Sequence, residues 1–318
     1  MTAPSVRALP TDCSAALAVE YRLLPQDFFA SMSTAISKVS VHGGHSGQYC
    51  LHARNTLEEV VQAYIAEGYR WVGITEHMPP LDDSRRYPDE AEQGISAAAL
   101  KAQFRRYFAE VRQLQARYAD RIRLFAAFET ETYHGSASFV RELIDETRPD
   151  YIVGSVHHVD GIGIDVNREL YEEARISAGS VEQLYCRYFD LQLAMMQALK
   201  PSVIGHFDLI RIFDDDYLNT LVLPSVWSRV ERNLGFIAEQ GFVLDFNLRG
   251  FDKALEQYPS LPVLKLALQL GIAVVPGDDS HGVASVGRNY QRGVDLLQSL
   301  GHDCRWQLPL LYSWAESP

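Results

Sequence analysis

Short apolar runs recur along the chain, and most of them end on a side chain that can bind a metal or a proton. WVGITEH closes on His77, RLFAAFE on Glu129, DYIVGSVH on His157, PSVIGH on His206 and IAVVPGDDSH on His281, while VSVHGGHSGQYCLH supplies His42, His45 and His52. Runs of this length between turn-rich stretches read as strands. Seven are predicted, near 38–42, 70–75, 123–128, 150–155, 202–205, 242–246 and 272–276. Helical patterns separate them. One covers 56–67 and opens with Thr56, Glu58 and Glu59 as first-turn signals. Another covers 97–118, where Leu100, Phe104, Phe108, Val111, Leu114 and Tyr118 form an apolar stripe of ordinary core type. Strand–helix alternation predicts an α/β fold. A barrel of parallel strands gathers the strand ends at one mouth, which is where these side chains lie.

The segment 78–95 (MPPLDDSRRYPDEAEQGI) has the proline and charge content of a long loop, a candidate lid over a site. Residues 1–37 precede the first strand as an N-terminal extension, and its LPQDFF run is a candidate for docking on the barrel; residues 38–318 form the single barrel domain. With 318 residues and 47% hydrophobic content, one barrel-sized domain suits the chain better than two ordinary ones.

A net charge of −12 argues against a nucleic-acid partner, which recruits clustered Lys and Arg. No apolar run approaches the roughly 20 residues of a membrane span. Cys13, Cys50, Cys186 and Cys304 are scattered, which fits a reducing compartment and a cytoplasmic location. Asp12, Glu20 and Asp27, with no apolar core between them, disfavour a targeting peptide. Oligomeric state is left open.

A single histidine at a strand end is most often an ordinary hydrogen-bonded residue. The set is different, because unrelated histidines would not all choose the same end. Imidazole mixed with carboxylate suits zinc, manganese or iron, not magnesium or calcium. Glu129 can bridge two cations through its two oxygens, and Asp279 and His281 leave the last strand together. Closely spaced metals suit in-line displacement at phosphorus. No Ser or Cys sits in a nucleophile-elbow sequence, so covalent catalysis is not expected.

The runs HSGQYCLHA, TEH, FETE, GSVHHVDGIGID, GHFDL and DDSHGVASVG, in this order from about residue 40 to 290, resemble the polymerase-and-histidinol-phosphatase (PHP) family, and within it the fungal-type histidinol-phosphate phosphatases. The resemblance implies a distorted seven-stranded (β/α)7 TIM-like barrel and up to three divalent ions. It implies a phosphomonoester hydrolase in which metal-bound hydroxide attacks phosphorus, with a small phosphate ester as partner. Carried over by motif, His52, His77 and His281 would hold one metal. Glu129, His157 and His206 would hold a second, and His45, Glu129 and Asp279 a third. Glu129, Asp279 and His281 are the residues expected at the reacting centre, and the general acid is unassigned.

Three positions depart from the family pattern. The first histidine of its H-x-H motif falls on Gly43, and His42 is the candidate replacement, although neighbouring strand positions face opposite sides. Pro80 stands where an arginine is usual after TEH, and Asp252 where a basic residue follows Asn247. Arg249, Lys253, Arg85 and Arg86 are the candidates to grip phosphate instead. Asp165 is expected to meet a substrate amine and His134 to contact substrate. Asp208 is expected to orient the His206 imidazole, His158 to take a supporting or core position, and His302 to lie at the surface. Two further readings stay open: a changed phosphomonoester substrate, or a metal-binding homologue without turnover. A nuclease would need a basic groove that the sequence does not show.

Overall fold

In the computed structural model, residues 21–22, 36–253 and 256–314 are described; LPQDFF lies outside them. All seven expected strands are present: β1 (Lys38–Ser40), β2 (Tyr69–Ile74), β3 (Arg123–Glu129), β4 (Tyr151–Gly154), β5 (Val203–Ile204), β6 (Val243–Asn247) and β7 (Val274–Gly277). They pair in parallel in sequence order. Just past β1 the chain turns onto β7, with Val41 N–H donating to Pro276 O at 2.8 Å and Asp279 N–H to His42 O at 2.9 Å. Those two bonds bring the first strand against the last, so seven strands close a distorted barrel.

Two apolar layers follow from the side-chain alternation of strands. The barrel interior holds Val39, Val41, Trp71, Phe125, Ala127, Tyr151, Val153, Val203, Val243 and Val275. The opposite strand faces pack against the surrounding helices. The helix expected over 56–67 is Leu57–Ala66, and Thr56 and Glu59 close a reciprocal capping box at its start. The helix expected over 97–118 is Ala97–Arg117, with all six stripe residues buried. The chain returns beneath the barrel after the last helix. There Trp306 donates to Ser37 O at 2.7 Å, and Leu311–Tyr312 pairs antiparallel with Tyr21–Arg22.

The segment 78–95 is more ordered than a plain loop. It contains a 3-10 turn at Asp83–Arg85 and a short helix at Pro88–Glu92. Proline at the first helical position with Asp89 and Glu90 behind it favours that helix start. The segment is anchored by Tyr87, whose hydroxyl donates to Glu131 Oε1 at 2.6 Å, and by Asp83 Oδ1, which accepts from Ala97 N–H at 2.6 Å.

Inside the barrel, Gly73 leaves space for the Tyr151 hydroxyl, which donates to Val41 O at 2.5 Å; a Cβ on Gly73 would fall 1.6 Å from that hydroxyl. Gly73→Ala should therefore displace the phenol and loosen the β1 end, at a cost on the order of 3 kcal/mol. A thermal midpoint lowered by roughly 5 °C or more is expected. An unchanged midpoint would show that this contact does not constrain the barrel.

Candidate metal centre

Strand parity places much of the site. Continuing β3 inward from Phe125 and Ala127 reaches Glu129, and continuing β4 from Tyr151 and Val153 through Ser155 reaches His157. The same count past β2 reaches His77, past β7 reaches Asp279, and in β6 reaches Asp245. Asp279 has φ 43°, a left-handed conformation uncommon for a residue with a side chain, held by its own N–H to His42 O.

Two histidines break the parity, and each has a glycine beside it. Gly43 occupies the inward position after Val41, where a Cβ would meet Gly73 O at 2.2 Å and Val72 Cγ1 at 2.6 Å. No histidine fits there, and the bend at 41–42 turns His42 into the site instead. Gly205 does the same before His206, since its Cβ would meet Ser155 Oγ at 2.4 Å.

Glu129 is the centre of the arrangement. Its Oε1 lies 2.9 Å from His206 Nε2 and 3.3 Å from His157 Nε2. Its Oε2 lies 3.2 Å from His77 Nδ1, 3.4 Å from His42 Nε2 and 3.9 Å from His45 Nε2. His45 Nε2 is also 3.4 Å from Asp279 Oδ1. Burial raises the Glu129 pKa, but His42 and His157, with hydrogen bonds from His157 and His206, hold it well below the ordinary carboxylate value. Burial disfavours charge on His42, yet Glu129 and Asp245 outweigh it and raise that imidazole well above its usual value. His77 and His281 shift the other way, pushed well down by burial and then by His45.

The donor atoms fit a metal. His42 Nε2, both nitrogens of His45 and His77 Nδ1 are buried without a hydrogen-bond partner, and they sit among carboxylate oxygens. Three groups of donors each lie within 4.8 Å of one another: Glu129, His157 and His206; His42, His45 and Glu129; and His45, Cys50, His77 and His281. The second metal set is thus brought together as expected, and His42 joins the third. The first set differs. His52 lines the cleft, but its Nε2 lies 3.1 Å from Cys50 Sγ, and Cys50 takes the place expected of His52 among the donors.

Buried carboxylates behind the donors fix their orientation, as is common at metal sites. Asp245 Oδ2 lies 2.9 Å from His42 Nδ1 and accepts from His206 N–H at 3.2 Å. Glu131 Oε2 lies 2.9 Å from His157 Nδ1. Sequence reasoning missed both, although the inward parity of β6 marks Asp245. It assigned this duty to Asp208, which instead accepts from Ser260 N–H at 2.9 Å and pairs with Arg211 at 3.5 Å. Asp208 is thus tied to the segment that carries Tyr258 into the cleft wall, not to the His206 ring. His158 lies 3.4 Å from Glu131 Oε2, the supporting position expected of it.

A cleft of about 290 Å³ opens above these donors, lined also by Tyr87, Asp89, Asp165, Asn247, Arg249, Lys253 and Tyr258. Arg249 Nη1 is 3.2 Å from Asp279 Oδ1 and 2.7 Å from His281 Nδ1. Asp252, the departure that threatened an anion, is exposed and does not line this cleft; it bonds to Arg288 at 3.4 Å and Asn289 at 3.3 Å in a neighbouring pocket that it shares with Arg249, Lys253, Asp279 and His281. Arg85 lines a smaller pocket beside the cleft, with its guanidinium 5.4 Å from the Tyr133 ring. Pro80 lines that pocket too. The structure does not bring Arg86 or His134 to the cleft. Arg86 donates to Asp83 O and Ile95 O, both at 2.9 Å, and His134 is exposed beyond β3. His302 is half-buried against the Trp306 ring, with centroids 5.7 Å apart, not free at the surface.

The PHP domain family profile matches residues 43–249. A Schizosaccharomyces pombe protein provisionally named a histidinol-phosphatase is 36% identical, covering 83% of this chain and 87% of its own. The histidinol-phosphatase of Saccharomyces cerevisiae is 29% identical, covering 81% of this chain and 88% of its own. Among solved structures, one from Listeria monocytogenes, provisionally named a histidinol phosphatase, superposes with a TM-score of 0.71 at 27% identity, over 80% of this chain and 99% of that one. The fold is shared with the histidinol phosphate phosphatase of Lactococcus lactis, solved with zinc, L-histidinol and phosphate (TM-score 0.63, 20% identity, 87% of this chain and 98% of that one).

Replacing a donor should separate site from scaffold. His157→Ala is expected to abolish phosphate release while circular dichroism stays that of the folded protein; near-normal turnover would remove His157 from the site. Asp245→Asn should weaken metal retention about 10- to 100-fold in competition with a chelator, because it loosens His42 without touching a donor atom. Retention equal to wild type would mean that His42 is held by other groups.

Proposed function

Because the chain belongs to the PHP domain family, we propose that the phosphomonoester it hydrolyses is L-histidinol phosphate, giving L-histidinol and phosphate. It is a metal-dependent phosphoric monoester hydrolase. The observation that supports the reading most is the make-up of the cleft lining. Arg249 and Lys253 stand beside the metal donors, and Asp165 also lines the cleft, as a phosphate ester carrying an amine requires.

About three divalent ions per chain, with zinc the leading candidate, would be held by the three donor groups and would supply an acidified water and neutralising charge at phosphorus. Glu129 would serve two of these ions, one on each carboxylate oxygen. His42 takes the part that Gly43 cannot fill. Arg249, at 3.2 Å from Asp279, would hold phosphate oxygens in two-pronged fashion, and Lys253 would add a second positive charge. Asp165 would pair with the substrate ammonium. Tyr87, bonded to Glu131, carries the segment 78–95 over the pocket edge and fixes the His157 support.

The reading of a metal-binding homologue without turnover rested on Gly43, Pro80 and Asp252. His42 answers the first, Pro80 lines only the side pocket, and Asp252 faces Arg288.

Gently purified protein should contain about three metal ions per chain by elemental analysis and release phosphate from L-histidinol phosphate. Chelation should abolish that release and added zinc restore it. Two or fewer ions with no release from this ester would reject the assignment. Arg249→Ala should raise KM at least about tenfold, and Arg249→Lys should recover little of it, because an ammonium does not reproduce the planar fork.

A further inference from the structure

Tyr258 stands in the cleft wall with every part of it held except its hydroxyl. Its backbone pairs with the end of β6, with Asn247 N–H donating to Tyr258 O at 2.7 Å and Tyr258 N–H to Asn247 O at 3.1 Å. Its ring lies under the Arg211 guanidinium at 4.3 Å, and Arg211 also donates to Gln257 O at 2.5 Å. Asp208 completes the clamp by accepting from Ser260 N–H. Gly250 permits the approach, since a Cβ there would meet Tyr258 Cδ2 at 2.8 Å. The side chain is only 2% exposed, and its hydroxyl has no hydrogen-bond partner among the described residues.

A buried hydroxyl left unpaired costs free energy, and Phe would fill the same space without that cost. The nearest ring, that of His206 at 6.4 Å between centroids, gives no partner, because His206 Nδ1 is itself unpaired. The surroundings say what the hydroxyl awaits. Tyr258 shares the cleft with Val166, Leu209 and Pro88, which are apolar, and with Asp165, whose charge suits a cationic or nitrogen-bearing group. The metal donors, Arg249 and Lys253 line the same cleft and suit the phosphate. A flat, nitrogen-bearing organic group fits the apolar wall.

We infer that the Tyr258 hydroxyl is a specificity-determining contact that hydrogen-bonds a nitrogen in the organic part of the substrate. The inference rests on the proposed ester and deepens it: the imidazole of L-histidinol phosphate is a nitrogen of the right kind. A site built to hydrogen-bond its ligand discriminates strongly against ligands that lack the partner.

The test compares wild type with Tyr258→Phe, which keeps the ring under Arg211. Both are measured for turnover of L-histidinol phosphate and of p-nitrophenyl phosphate, for calorimetric affinity toward L-histidinol with metals loaded, and for metal content and thermal midpoint. The expected result is an L-histidinol affinity at least tenfold weaker, and a preference for L-histidinol phosphate over p-nitrophenyl phosphate at least tenfold smaller. The loss should be carried by KM more than kcat, with metal content and midpoint retained. Equal affinity for L-histidinol in the two proteins overturns the inference while leaving the proposed function intact. Loss of bound metal with an equal fall on both esters also overturns it, by placing the hydroxyl on His206. A wild type that cleaves p-nitrophenyl phosphate but neither cleaves L-histidinol phosphate nor binds L-histidinol overturns the substrate reading, and this inference with it.

Discussion

A carboxylate sealed in a barrel mouth is the constraint around which the rest of this structure is arranged. Glu129 is 1% exposed, and an ion so buried is tolerated only if positive charge or donors meet both of its oxygens. Five imidazoles crowd around it, two at one oxygen and three within 3.9 Å of the other, although the last three make no hydrogen bond to it. Those imidazoles come from the ends of β2, β4 and β5 and from the loop after β1, so satisfying one carboxylate requires the barrel to close. The same demand leaves several nitrogens facing one another with no protein partner, which divalent cations resolve better than protons. Fold and metal chemistry are therefore one requirement expressed at two scales.

Parallel strands bring their ends to one mouth, and polar residues at those ends made much of the site legible in the sequence; the structure adds that inward positions repeat every second residue. The apolar runs gave all seven strands because each is short, buried on both faces and closed by a polar residue. Parity then leads from Phe125 to Glu129 and from Tyr151 to His157. It fails at His42 and His206 for a steric reason. Where a neighbouring strand comes too close for a Cβ, glycine takes the inward position and the adjoining histidine turns in. A pattern read residue by residue counts Gly43 as a lost ligand, whereas the packing of Gly73 and Val72 shows a ligand moved by one place.

Supporting residues were the least legible. Asp208 looked suited to orient His206 because it lies two positions away in sequence, but proximity along a chain that bends says little about direction. Asp245 instead orients the His42 ring and accepts from the His206 backbone N–H, from another strand and at a sequence separation that no local spacing rule can bridge. Cys50 and His52 exchange places for a related reason. The stretch between Ser46 and Ala53 is turn, not strand, so no periodicity fixes which side chain faces the donors. The segment 78–95 carried its own helix signal in Pro88, Asp89 and Glu90, yet its proline content and its position before a long helix favoured a loop reading.

An acidic protein must still hold a dianionic ester, and the structure shows how the two are reconciled. The net charge of −12 belongs to the whole chain, whereas the cleft lining sets Arg249 and Lys253 among the imidazoles and carboxylates of the donor set. Fields from distant surface carboxylates are screened within about 10 Å at moderate salt, while charges facing each other inside a cleft are screened much less. Attraction of phosphate is thus a local property of the site and not of the net charge. Asp252 shows that pairing matters as well as distance: it does not line the cleft, and in the neighbouring pocket that it shares with Arg249 and Lys253 its carboxylate is engaged by Arg288 and Asn289. Which charges act on a ligand is therefore decided by their local pairing and burial, not by the net charge of the chain.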